Sequence, residues 1–259
     1  MRALFTAKTG LEAQQLKIDN ISHNLANANT DGFKKSRLTF EDLIYQNIRT
    51  TGAPINEDQN TPTGLQVGVG VKAGATVKSF SQGSLLQTDE PLNLAINGKG
   101  FFQIQLPNGE IAYTRDGNFS LNQDGVLVNL QGIPLVGDIE IPAEAQKITI
   151  TRDGQINAIL PGDTEFTNLG ELQLADFVNP AGLESIGGNL FKQTPSSGEP
   201  IVLEPGDEQI GVINQGFIEG SNVNIVESMV NMIQSQRVYE MNSKAVSTVD
   251  QMMGRLTQL

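Results

Sequence analysis

The hydrophobic and polar positions of this chain follow two different grammars. Near the start, Leu4, Ala7, Leu11, Ile18, Ile21, Leu25 and Ala28 recur at alternating three- and four-residue steps, interrupted at Gln14. That spacing predicts a helix of about 25 residues, roughly 38 Å long at ~1.5 Å per residue, with a coiled-coil-like seam. Asp31-Gly32 supplies its stop, because glycine takes the left-handed conformation that closes helices. Near the other end, Ile225, Met229, Met232, Tyr239, Val246 and Met253 share a stripe that Val226, Val230, Ile233, Ala245, Val249 and Leu256 widen. It predicts a second helix from about Val223 to Leu256, N-capped by Ser221 or Asn222.

Between the helices the period shortens to two and glycine and proline become frequent. Asn108-Gly109, Asp116-Gly117, Asp124-Gly125 and Asp153-Gly154 are hairpin signals. Around them FFQIQL, IAYT, NFSL, GVLVNL, KITI and QINAIL read as strands. TRDG occurs at Thr114–Gly117 and again at Thr151–Gly154 with unlike flanks, which reads as one turn used twice rather than a repeat. The expectation is an α+β fold: a mainly-β central domain between long N- and C-terminal helices, paired in a coiled-coil-like helical domain. Residues 1–32 and 221–259 would form the helical domain, 33–90 and 203–220 an extended connecting region, and 91–202 the β domain.

Residues 46–64, QNIRTTGAPINEDQNTPTG, fit neither grammar. They are polar, hold Pro54 and Pro62, and carry too few apolar side chains for a buried element. They read as a disordered surface loop in the isolated subunit, or as a segment that partners order.

A chain of 259 residues is long enough to bury a real core in one to three domains. It contains no cysteine, which excludes disulfides and thiolate metal sites without fixing the compartment. Ala3–Gly10 lacks the apolar run of a secretory signal and no stretch approaches a membrane span. A soluble protein is expected, which leaves the cytoplasm, if at all, without a cleaved signal peptide and does not insert in a membrane. The net charge of -12 is unevenly placed. Residues 1–49 hold seven basic and five acidic side chains, 221–259 three of each, and 50–220 seven basic against 21 acidic. So acidic a centre argues against a nucleic-acid partner.

Little in the sequence supports catalysis. His23 is the single histidine, and no GxSxG elbow accompanies it. Gly68, Gly70 and Gly74 fit neither dinucleotide nor P-loop spacing, and Lys99 in NGKG lacks the Ser or Thr a P-loop needs. The Asp-Gly turns do not continue into an EF-hand loop. Asp89-Glu90 and Glu41-Asp42 are sequence-local pairs, weak evidence for a glycosidase.

The polar face of the first helix is unusual in being made of neutral amides. Asn20, Asn24 and Asn27 stand at i, i+4 and i+7 beside the apolar seam, and Asn231, Gln234, Gln236, Asn242 and Gln251 repeat the theme in the second helix. Amides donate, accept and carry no charge, so identical copies can press them together without repulsion. That suits a helix packed against many copies of itself; an ordinary amphipathic pair with incidental Asn fits the same pattern.

NISHNLANANTDGFKKSR, residues 20–37, closely resembles the N-terminal signature of the bacterial flagellar rod and hook family of axial proteins. The likeness continues through LNLAINGKGFFQI, YTRDGNFSLNQDGVLV, GIPLVGDI and NLFKQTPSSGEP. It closes with GFIEGSNVNIVESMVNMIQSQRVYEMNSKAVSTVDQMM. Within that family the resemblance is to distal rod members. Hook members insert a further outer domain, for which there is no room between Phe101 and Phe191, and proximal rod members lack a counterpart of 46–64.

The resemblance implies a structural subunit that is exported unfolded through the flagellar type III apparatus and polymerises with itself into a hollow helical tube. Terminal helices would line the tube and β domains would lie outside. It implies a basal-body rod spanning the periplasm, joined to proximal rod and hook subunits. The rod would turn within the peptidoglycan-layer ring and outer-membrane ring proteins as in a bushing and transmit torque. It implies no enzyme activity and no cofactor. Copies would meet through Leu4, Leu11, Ile18, Asn20, Ile21, Asn24, Leu25 and Asn27 on the first helix. On the second they would meet through Ile225, Met229, Met232, Ile233, Tyr239, Val246, Val249 and Met253. Arg49, Gly52, Pro54, Asp58, Pro62 and Gly64 mark the rod-specific segment. Two other readings stay open: a proximal rod or hook subunit, and a non-polymerising acidic β module on a helical stalk.

Overall fold

The computed structural model describes residues 2–49, 54–56, 59–60, 63–137, 139–142, 144–145, 147–161, 166–207 and 209–256. The fold is α+β, with helices α1 (Arg2–Ala26) and α2 (Ile225–Leu256) at the ends and strands between. It divides into two compact units, one of Met1–Ala26, Ser36–Val77 and Asn224–Leu259, the other of Asn27–Lys35 and Lys78–Val223.

The second unit is a β structure built on antiparallel pairing. Its largest sheet runs Glu184–Gly187, Leu190–Lys192, Ile111–Thr114, Phe101–Gln105, Leu174–Asp176, Ile201–Leu203. Three of the four Asx-Gly signals do close hairpins. Gly109 (φ +83°) joins Phe101–Gln105 to Ile111–Thr114, Gly125 (φ +80°) joins Phe119–Leu121 to Leu127–Asn129, and Gly154 (φ +85°) joins Lys147–Ile150 to Gln155–Ile159. The fourth does not. The strands flanking Asp116-Gly117 belong to different sheets, and Gly117 is needed for another reason. Its carbonyl accepts from Leu94 N at 2.9 Å, and a Cβ there would overlap the Leu94 carbonyl oxygen. The two TRDG segments are therefore not one turn used twice.

Successive residues of a strand face opposite sides of a sheet, and this builds two cores. Phe102 and Ile104 join Leu94, Ile96, Ile141, Ile156, Leu174 and Ile213 in the larger core. Phe101 turns the other way, to Tyr113, Phe177 and Phe191. Rings there meet edge to face at centroid distances of 4.8 Å for Tyr113–Phe177 and 5.8 Å for Phe101–Phe177.

Strands drawn from both expected connecting segments complete this unit. Leu85–Gln87 pairs with Phe217–Glu219, and the fully buried Leu94–Ile96 run pairs with residues 212–215, each antiparallel. Residues 78–90 and 203–223 thus belong to the compact β unit rather than to an extended arm.

The first unit holds α1 and α2, which pack on one another, and Ser36–Asp42, which pairs with Val71–Lys78. Helix α1 stops at Ala26, just before the expected Asp31-Gly32 signal. Helix α2 is capped not by Ser221 or Asn222 but by Asn224, whose Oδ1 accepts from Glu227 N at 3.1 Å. The expectation of a loop over 46–64 gives way to strands among its described residues. Tyr45–Arg49 pairs antiparallel with Leu65–Gly68, and Pro54–Asn56 with Gln59–Asn60.

Candidate assembly surface

Helix α1 carries the amide stripe, and the amides are engaged within the chain. Asn24 is buried and grips the backbone of Ser36 at both ends. Its Nδ2 donates to Ser36 O at 2.7 Å and its Oδ1 accepts from Ser36 N at 2.9 Å. Asn20 Nδ2 donates to Ser36 Oγ at 2.8 Å. An amide can make both bonds at once, which a carboxylate or ammonium cannot. The stripe therefore fastens the start of the Ser36–Asp42 strand to its own helix. Asn27 has left the helix, and its Oδ1 accepts from Thr30 Oγ1 at 3.2 Å in the turn that follows.

The expected apolar stripe of α2 is split in two by the structure. Helix α2 packs on α1, and its half-buried and buried positions form one row: Ser228, Asn231, Met232, Ser235, Val238, Asn242, Val246 and Val249. The approach is close: a Cβ on Gly10 would stand 3.3 Å from Asn242 Nδ2. Gln14 Oε1 and Ser235 Oγ are buried there with no hydrogen-bond partner among the described residues. Such a polar layer costs stability and fixes register.

Ile225, Val226, Met229, Val230 and Ile233 are exposed, Val226 by 71% and Met229 by 51%. At ~100° per residue their mean direction lies roughly 160° around the axis from the α1-facing row. A helix normally turns its apolar stripe to the core and its polar face to water. Over its first turns α2 does the reverse.

Of the other residues expected at an interface, Ile21 is buried, and Leu4, Leu11, Ile18 and Leu25 are half-buried. Tyr239 and Met253 are exposed. In the rod-specific segment Arg49 ends an exposed strand, Gly64 is half-buried, and Pro54 opens a short strand. Gly52, Asp58 and Pro62 lie outside the described residues.

A second exposed apolar surface was not expected from sequence. The hairpin of Tyr45–Arg49 and Leu65–Gly68 exposes Tyr45, Ile48, Leu65 and Val67, and neighbouring Ile44 is 83% exposed. A two-stranded sheet bare on both faces is marginal in water. The signal was the apolar residues Ile44, Tyr45 and Ile48 and the alternation at 65–67, masked by the polar run between. At its root the Tyr45 phenol is held above its ordinary pKa by its hydrogen bond to Asp42 and then by that carboxylate's charge.

Among the described residues no cluster of His, Cys, Asp or Glu could hold a metal, and no helix is long and apolar enough to cross a membrane.

Comparison with known proteins agrees along the whole chain. Residues 4–34 match the flagella basal body rod protein family. Residues 95–158 match the flagellar hook protein FlgE/F/G D1 domain, and 214–259 the flagellar basal body rod FlgEFG protein C-terminal family. The chain is 51% identical over 257 residues to the flagellar basal-body rod protein FlgG of Buchnera aphidicola subsp. Acyrthosiphon pisum, covering 99% of each chain. It is 47% identical over 260 residues to that of Caulobacter vibrioides (100% and 99% covered) and 35% over 264 residues to that of Bacillus subtilis (100% and 99%).

Proposed function

The chain belongs to the FlgG family of flagellar basal-body rod proteins, and from that premise we propose that it polymerises with itself into the hollow distal rod. It is a structural subunit of the flagellar basal body. In the reading offered here that rod is the shaft that carries torque from motor to hook. Its ends meet proximal rod and hook subunits, and its sides turn within the peptidoglycan-layer and outer-membrane rings. The type III export apparatus delivers the unfolded chain.

The observation that carries the reading is the exposed face of α2 from Ile225 to Ile233. Each such side chain gains roughly 1.5–3 kcal/mol on full burial, enough together to drive association once a second copy covers them. The hairpin at Ile44–Arg49 and Leu65–Gly68 supplies a further patch of the same kind. Segment 46–64 then bridges neighbouring copies and restricts sliding between them. Ordering it costs about 1–2 kcal/mol per residue, which contacts across subunits help its own strand pairs to offset.

Electron microscopy of concentrated protein tests the reading, and the expected result is tubes or filaments. Protein that stays monomeric by sedimentation at every concentration removes it. Deleting 46–64 is expected to permit polymerisation and to yield a bendable tube with a shorter persistence length.

A further inference from the structure

We propose that the Glu219 carboxylate is a closing device for the β unit, making completion of its fold wait for the chain segment that carries residue 219. Glu219 lies in the last strand before α2, and its side chain is fully buried. Oε1 accepts from Lys34 Nζ at 2.6 Å and from Gly83 N at 2.8 Å. Oε2 accepts from Arg115 Nη1 at 3.2 Å. One carboxylate therefore answers two cations.

Both cations are buried, with 0% of the Lys34 and 4% of the Arg115 side chain exposed. Their remaining contacts are weak substitutes for a counter-charge. Lys34 Nζ also donates to Ser81 O at 2.9 Å, and Arg115 Nη2 to Gly98 O at 2.8 Å. The guanidinium lies 5.4 Å from the Phe101 ring centroid, and its Nε has no hydrogen-bond partner among the described residues. Among the described residues no second carboxylate is ion-paired with either, though the charge of Asp176 favours the guanidinium. Carbonyls and a ring face do not neutralise two desolvated charges, and a buried cation stripped of its partner is strongly destabilising.

The order of the residues along the chain gives this arrangement its consequence. Lys34, Gly83, Gly98 and Arg115 all lie in the first half of the sequence, whereas Glu219 stands 185 residues after Lys34 and 104 after Arg115. A chain emerges from its N-terminus, so both cations exist long before their carboxylate. The same late segment brings the strand partners of Leu94–Asn97 and Leu85–Gln87. Until it arrives, closing the core would bury two unanswered charges, and the unit stays open. This device is independent of assembly and stands whether or not the chain polymerises.

The test is refolding and unfolding of the full-length protein after denaturant jumps, with pulsed hydrogen exchange at the amides of 94–97 and 212–215. Glu219→Gln removes the charge and keeps the shape. It is expected to slow refolding about a hundredfold while changing unfolding by less than about threefold, as for a contact already made at the barrier. The triple variant Lys34→Met, Arg115→Met, Glu219→Leu removes the cations too, and its refolding is expected within about tenfold of the parent protein. Unchanged refolding with faster unfolding in Glu219→Gln overturns the proposal. So does a triple variant that refolds no better than Glu219→Gln. Should Glu219→Gln fail to fold at all, a folding triple variant supports the proposal and a non-folding one overturns it.

Discussion

The two units spend their apolar residues in opposite ways. In the β unit Leu94, Ile96, Phe102, Ile104, Ile156, Leu174 and Ile213 are all within 1% of complete burial, and most of its strands have partners inside the chain. Among the described residues of the helical unit only Ala13 and Ile21 stand among the buried apolar residues, while Phe5, Leu16, Ile48, Val226, Met229, Val230 and Ile233 face outward. One unit buries its apolar side chains within itself. The other leaves many of its own exposed, and on the proposed reading assembly supplies the packing that they lack.

The sharpest way to break this contrast is a charge on the outward face of α2. Ile233→Asp is expected to leave the monomer's unfolding within about 0.5 kcal/mol of the parent, as for an exposed site, and yet to abolish filaments. Filaments of normal length by electron microscopy would mean that this face looks into solvent. Phe102→Ala in the β core is expected to do the converse. It should cost about 3–5 kcal/mol in the denaturant transition of the β unit and leave the circular dichroism signal of the helices largely intact.

Asn24→Ala probes a bond system internal to the helical unit. Losing both bonds to Ser36 is expected to cost about 1–3 kcal/mol and to raise hydrogen exchange at Ser36 N in the monomer. Normal protection there would return the amide stripe to the subunit interface.

The smallest expected effect is at Asp116 in the β unit, whose pKa is raised, first by burial and then by the charge of Asp31, against hydrogen bonds from Asn118 and Asn189 that lower it. A carboxyl with a folded-state pKa above its unfolded value contributes stability that is fully present below the ordinary value of 3.8 and is lost as pH rises through the folded value. Asp116→Asn keeps the acceptor for Asn118 and removes the titration. Its stability relative to the parent should therefore be higher at pH 7 than at pH 4, by less than about 1 kcal/mol, measured by denaturant midpoints at both pH values.

Much of this was legible from local pattern. Asn108-Gly109, Asp124-Gly125 and Asp153-Gly154 announce hairpins because positive φ at one glycine is a local demand. Both helices were legible because a 3.6-residue period spans each of them. What was not legible depends on partners far off in sequence. The pairing of Leu174 with Phe102, or of Ile213 with Ile96, leaves no mark on either strand. Nothing in NISHNLAN shows that Asn24 will be occupied by Ser36, so free amides looked like an external surface. In α2 the apolar stripe was visible, but not its direction. The close approach of α1 at Gly10, which has no side chain to hold Asn242 away, could not be read from either helix alone.

Those small residues also carry a handedness. Ser228, Ser235, Asn242 and Val249 recur every seven residues, and a seven-residue row drifts about 20° per repeat on a straight α-helix. To keep that row against α1, the two helices wind around each other to the left. The outward side chains Ile225, Met229 and Ile233 instead recur every four residues, a ridge tilted about 26° from the axis. A neighbour that seats a like ridge beside it crosses α2 at about -50° rather than running alongside. The two faces of one helix thus prescribe opposite inclinations, and on the proposed reading copies joined through the outward face form a chiral lattice rather than an untwisted stack.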